Sequence, residues 1–231
     1  MNKKYEFTGE TKIVLGHTVH RIRALFAIGA SILPGDTGGW IESERNLSTL
    51  GNAWVSGNAV VSGNAVVSCD AEVSCDADVS GNAIVSGNAW VSGNATVSGN
   101  AVVSDNAVVS DNAWVSCDAR VVGIARVGDN AVVSGNAVVS GSAEVSGRAE
   151  VSGDAVVSVN ADYMVFRNSW SSFRWFTYTS SNGMWMAGCF YGTGEELIAK
   201  AYKDSDLSGR CYEAIVRAVE VIEKAKNGGD K

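Results

Sequence analysis

The residues best suited to bind a small molecule lie late in the chain, where Gly192-Thr193-Gly194 precedes an amphipathic stretch. A threonine between glycines at the start of a helix leaves backbone amides free at the positive end of the helix dipole, and such amides hold phosphate or carboxylate groups. Arg167, Arg174, Trp175, Tyr178 and Trp185 precede this turn and bring cations and flat rings, which neutralise an anion and stack on a planar group. Arg167, Arg174, Trp175, Tyr178, Trp185, Thr193 and Gly194 are therefore the candidate ligand site, and a small anionic nucleotide is the candidate ligand. The same residues admit a structural reading, in which Thr193 caps the helix, Glu196 completes a capping box and the aromatics pack a hairpin onto helices.

Other chemistries find no constellation. There is no Gly-x-Ser-x-Gly elbow, phosphate loop or His-Glu-x-x-His. His17 and His20 are the only histidines, and nothing around them nominates further metal ligands. No metal site or cofactor is expected.

What must position these residues is a repeat. From Ala53 to Ala161 an alanine stands at every sixth position, 19 in unbroken phase, and the residue two places later is valine 18 times. The unit reads Gly-Asn-Ala-x-Val-Ser, as in Gly57-Asn58-Ala59-Val60-Val61-Ser62. Fixed self-similarity marks a solenoid. Alanine and valine flanking one variable residue is strand alternation, while Gly-Asn tolerates the positive backbone angle of a sharp corner. Each hexad is thus one short strand and one corner, with Ala and Val inward. Tyr163, next in the valine phase, is too large for that bore and ends the stack.

The hexad resembles the hexapeptide repeat of left-handed parallel β-helices, in which an aliphatic residue and a small residue four places later face inward, here Val61 and Ala65. That resemblance implies three hexads per triangular coil and about six coils, about 30 Å in length. With coils of eighteen residues, three outward stripes follow. One carries Val66, Ile84, Val102, Arg120, Val138 and Val156; another Trp54, Glu72, Trp90, Val108, Arg126, Glu144 and Asp162; the third Val60, Asp78, Thr96, Trp114, Val132 and Glu150. The first is nearly all aliphatic. Val66, Ile84, Val102, Val138 and Val156 are therefore the expected interface of a homo-oligomer, a trimer or a dimer, although valine also suits a strand's outer face by propensity alone.

The repeat region is acidic, with 3 basic against 11 acidic residues between 51 and 161. Such a surface repels polyanions, so neither DNA nor RNA is an expected partner. Cys69, Cys75 and Cys117 take the corner position usually held by glycine. Successive corners are about 15 to 20 Å apart, too far to bridge. They read as tolerated small residues in a reducing compartment. With no apolar run of membrane-spanning length and no signal segment, the expected location is the cytoplasm, or the host cytoplasm for a phage-encoded protein.

The repeat must be covered at both ends, because a stacked coil leaves unpaired strand edges. Residues 1–50 form the expected N-terminal β cap, with strands over 5–11 and 18–25; residues 51–163 form the β-helix. Residues 164–231 form a ββαα module. Its strands span 173–179 and 184–191 around an Asn182-Gly183 turn, and its helices 195–203 and 209–226, the second with an apolar face of Cys211, Ile215, Ala218, Val219 and Ile222.

The run Gly35-Asp36-Thr37-Gly38-Gly39-Trp40-Ile41, followed by Asn46-Leu47-Ser48, Gly51-Asn52-Ala53 and Trp54-Val55, resembles the leading segment of YdcK-like hexapeptide-repeat proteins of enterobacteria and their prophages, which are loosely called transferases. Residues 187–197 are similar to a Gly-Cys-x-x-Gly-Thr module at the ends of phage-encoded proteins. The resemblance implies a fold and a phage or prophage setting. Hexapeptide acyltransferases bear a histidine base on the coil, and this coil has none, so the transferase activity is not carried over. The functional expectation is a non-enzymatic, oligomeric binding protein that captures a host molecule, such as a small nucleotide immune signal. The alternatives are a scaffold that docks a host protein and a transferase using His17 and His20.

Overall fold

The computed structural model describes residues 3–228; residues 1–2 of the expected cap and 229–231 of the expected C-terminal module lie outside them. Strands β1 (Tyr5–Val14), β2 (His17–Ala24) and β3 (Thr37–Ile41) form an antiparallel set. β3 then pairs in parallel with the coil, Trp40 beside Val60 and Ile41 beside Val61. Two-residue strands follow, one per hexad, from β4 (Trp54–Val55) to β21 (Val156–Val157).

Each hexad strand pairs with the strand eighteen residues on, as Val66 does with Ile84 and Trp54 with Glu72. The result is a parallel β-solenoid of three sheets, and the three outward stripes fall one to a sheet. Every inward Ala and Val from Ala53 to Val157 is at most 1 % exposed. Within the hexads only methyl and isopropyl groups face the axis, so neighbouring rungs pack closely on each other.

Corners explain which substitutions the repeat accepts. Gly87 has φ +68°, and a Cβ there would lie 2.7 Å from the Asp105 amide nitrogen of the next rung. Asp105 and Asp129 nevertheless hold corner positions at φ +62° and +55°. Their carboxylates accept the next rung's amides, Gly123 at 3.0 Å and Gly147 at 2.9 Å, which offsets left-handed strain. Beside them Asn64, Asn82 and Asn100 form a ladder, each side-chain amide donating to the next rung's oxygen and ending on Asp118. Aspartate can only accept, so it terminates such a ladder.

The stack has about seven turns rather than the six that hexads alone supply. Ile41 and Leu47, both fully buried, take inward positions in a turn that precedes the repeat, and Leu47 bridges Val67 in parallel. Leu47 and Val55 are separated by two residues more than a hexad, and the excess is extruded at a corner beside Leu50, which is 71 % exposed. That insertion breaks the sequence phase and conceals the first turn.

Both ends are sealed by polar side chains. At the first turn Lys4 Nζ donates to the Ala53 carbonyl at 2.7 Å, and Asn46 Nδ2 to the Ala65 and Gly63 carbonyls at 2.8 and 3.1 Å. At the last turn the amides of Glu144, Glu150 and Val156 lack the alanine carbonyls that lower rungs meet. They donate instead to Asn160 Oδ1 (2.7 Å), Thr177 Oγ1 (2.9 Å) and Ser181 Oγ (2.7 Å). Tyr163, at the end of the valine phase, donates its hydroxyl to the Glu144 carbonyl at 2.8 Å.

Burial lowers the Lys4 pKa from 10.5 to about 8. The unfolded chain therefore binds more protons than the folded one between these values, and stability rises with pH across that interval. Tyr5, whose hydroxyl donates to the Leu47 carbonyl, is shifted from 10.0 to about 12 by burial, and above pH 10 its contribution is lost. Urea midpoints measured from pH 7.5 to 10 should rise more for the native protein than for Lys4→Met. Equal slopes would show that Lys4 titrates normally.

The C-terminal part contains the expected hairpin and two helices and adds two strands to them. Four strands, β22 (Tyr163–Arg167), β23 (Trp175–Thr179), β24 (Met184–Ala187) and β25 (Phe190–Gly192), form an antiparallel meander, followed by α1 (Gly194–Asp204) and α2 (Asp206–Gly228). The first strand is separated from the last rung by one 3-10 turn, Asn160–Asp162, which keeps the corner chemistry of the repeat and so does not announce a new sheet. The single strand expected over 184–191 is split by a turn at Gly188, φ +62°. Phe176, Trp185, Leu197, Ile198, Val216 and Val219 form this module's core. The inner face of α2 thus uses Val216 and Val219, whereas Ala218 and Ile222 are exposed.

Candidate functional site

Alternation along β23 divides the expected ligand residues between two places. Thr177 meets the solenoid amide of Glu150, so Trp175, two residues away, shares the solenoid-facing side. Phe176 and Tyr178 face the helices, where Tyr178 lies 5.0 Å from Trp185 between ring centroids.

The helix-side group comprises Tyr178, Trp185, Thr193 and Gly194. They border a cleft of about 410 Å³ with Glu195, Glu220, Glu223 and Lys224. Thr193 caps α1: the Glu196 amide donates to Thr193 Oγ1 at 3.3 Å, and the Thr193 amide donates to Glu196 Oε2 at 2.8 Å. The Thr193 amide holds the Glu196 carboxyl below the usual carboxylate range, and burial with the nearby Glu223 and Glu220 pushes the Tyr178 phenol up. Arg217 is engaged by Glu195 and Glu220 at 2.5 and 2.9 Å. An incoming anion would meet three carboxylates here, a repulsive arrangement.

The solenoid-side group has the opposite character. Arg174 and Trp175 border a groove of about 420 Å³ where the module meets the last turns, lined also by Arg148, Glu150, Phe173, Asn130 and Gly188. Arg167, paired with Trp175 across the strands, places its guanidinium 5.8 Å from the Trp175 ring centroid. Phe173 is 60 % exposed, with φ +55°. Burial pushes the Glu150 carboxyl above its ordinary value. A second cavity of about 300 Å³ lies beyond Arg174, between Asn168, Lys200, Asp204 and Tyr212.

Arg148, Glu150 and Phe173 were absent from the expected site. Arg148 did carry a signal: it is the one cation at a corner position otherwise held mostly by Asn or Asp. Its neighbourhood with Arg174 depends on how the module folds back onto the last turn, which no local pattern encodes.

The remaining candidates lie elsewhere. His17 Nδ1 is 3.0 Å from Glu42 Oε2 and His20 packs on Phe7, both in the cap at the far end of the stack. Val66, Val102 and Val138 are half-buried, while Ile84 and Val156 are 43 % and 42 % exposed; they share one sheet with Arg120. Among the described residues the cysteines are all free, and no three metal-ligating side chains gather. Among the same residues no helix is long and apolar enough to cross a membrane.

A family model described as the YdcK beta solenoid repeat matches residues 51–68, 77–93, 91–105 and 125–141. The comparison with curated proteins gave no match. All four matched segments lie in the hexads, and of the residues that line the groove around Arg174 they include Asn130 alone.

Proposed function

We propose that this chain, a β-solenoid protein of the YdcK-like repeat type, is a non-catalytic binding protein that captures a small anionic molecule with a flat ring, a nucleotide in chemical class. The observation that carries this reading is the groove in which Arg148 and Arg174 flank Trp175 and Phe173, on a repeat body with few other cations. Two guanidinium groups neutralise phosphate, and the exposed Phe173 and half-buried Trp175 rings offer stacking surface to a base. The purpose that fits capture without turnover is sequestration of a host's nucleotide immune signal by a phage- or prophage-encoded protein. The histidines that a transferase would use stand about 30 Å away, at the opposite end of the stack.

The test is a melting series with mononucleotides, dinucleotides and cyclic dinucleotides. A ligand bound only by the folded state, at about a hundred times its Kd, stabilises by about 2.7 kcal/mol, which raises Tm by about 5 to 10 °C in a chain of this size. Heating should release the ligand chemically intact. Trp175→Ala should abolish the rise, whereas Trp185→Phe should retain it. No rise with any nucleotide, or a rise that survives Trp175→Ala, rejects the groove.

Copies of the chain are proposed to meet along the aliphatic stripe. Val102→Glu places a carboxylate at its middle and should lower the particle mass in light scattering. An unchanged mass removes this contact.

A further inference from the structure

The helix α2 presents two apolar faces, and the module covers only one. Val216 and Val219 are 2 % exposed on the inner face. On the outer side lie Cys211, Ala214, Ala218, Val221 and Ile222 at helical spacings of three and four, with Ile215 at the border, where it also packs on the module's core. Val221 is 66 % and Ile222 43 % exposed, Ala214 and Ala218 are exposed, and Cys211 and Ile215 are half-buried. A helix that leaves an apolar stripe of four turns in water needs a partner.

We infer that the outer face of α2 is a contact between two copies of this chain, packed antiparallel about Ala218. Apolar residues stand at three, four and seven positions on either side of Ala218, ending at Cys211 and Ala225. A twofold axis through Ala218 maps that pattern onto itself, as an isologous interface requires. Small then meets large: Ala214 lies against Ile222 of the second copy, and Ile215 against its Val221. Alanine at the axis permits helices to approach to about 8 Å.

Charge and area favour a second copy over a charged partner. The stripe from Cys211 to Ile222 contains no ionised side chain. Of the charged groups beside it, Arg217 is engaged with Glu195 and Glu220, and Glu213 with the Tyr202 hydroxyl at 2.7 Å, while Arg210 and Lys224 carry like charge. Fifteen helical residues span about 22 Å, and a strip of that length covers about 450 Å² per copy, close to the roughly 1,000 Å² total at which a specific interface begins. Leu207, 54 % exposed on the preceding turn, extends it.

The experiment is sedimentation velocity on the full chain up to about 100 µM, with Ala218→Glu/Ile222→Glu in the native and the Val102→Glu backgrounds. Both helix positions are exposed, so the melting temperature should hold. The double substitution should raise the association midpoint at least about a hundredfold in both backgrounds, which separates this contact from the aliphatic stripe. Ala218→Cys, on the axis, should form a disulfide-linked dimer on mild oxidation at least about tenfold more readily than the native protein. An association midpoint unmoved in both backgrounds, or a native chain that is monomeric at every concentration, overturns the inference.

Discussion

Excision of residues 81–98, one whole turn, should leave a folded protein, whereas excision of residues 81–83 should abolish the native fold. The longer cut joins Ser80 to Gly99, so the hexad phase, the inward Ala and Val and both end seals survive. Solenoid stability is close to a sum of repeats and their neighbour contacts, so a shorter stack of the same kind remains, with Tm lowered by a few degrees. The shorter cut removes Ala83 and a corner, leaving three residues to span a side that six normally cover, with a reach of about 10 Å. Added residues can bulge outward, as beside Leu50, but missing ones cannot be stretched. The later rungs then lose register with the earlier ones, and their buried amides lose carbonyl partners at about 1 to 3 kcal/mol each. Circular dichroism and thermal melting distinguish the two outcomes; a cooperative melt after the three-residue cut would show that rungs couple less tightly than the shared axis implies.

The same logic shows why the coil was legible and the site was not. Ala, Val and corner residues are dictated rung by rung, because each contacts its own equivalents eighteen residues away. A six-residue period therefore contains most of the tertiary information. Ile41 and Leu47 escaped because two residues extruded near Leu50 shift the phase. In the C-terminal module, by contrast, nearness in sequence misled. Trp175 and Tyr178 belong to one strand but to opposite faces, and Thr193 is occupied with Glu196. Arg148 reaches the groove from the solenoid, and only the docking of the module on the last turn brings it beside Arg174. On α2 the apolar positions outnumber those that one packed face can use, and the sequence does not say which face turns inward.

Arg174→Ala should lower nucleotide affinity about a hundredfold without unfolding the protein. Among the described residues the Arg174 side chain makes no ion pair or hydrogen bond; only its backbone carbonyl does, accepting the Asn168 amide at 2.8 Å, and alanine keeps that contact. Stability should therefore change by less than about 1 kcal/mol. A guanidinium that forks onto phosphate contributes about 1.5 to 3 kcal/mol, and about 2.7 kcal/mol is a hundredfold in Kd. Arg174→Lys restores the charge but not the fork, so it should recover only part of the loss. Glu150 gives the site a pH dependence of defined sign. Burial already raises its carboxyl, and an arriving anion raises it further, against the opposing pull of Arg148 and Arg174 that line the same groove. Binding therefore takes up a proton, and affinity for a phosphodiester, which keeps one charge throughout, should increase as pH falls from 8 to 5. Glu150→Gln mimics the protonated carboxyl and should bind more tightly than the native protein at pH 8, with the slope removed. Calorimetric titration at the two pH values reads both effects, and an affinity independent of pH in the native protein would place the bound phosphate away from Glu150.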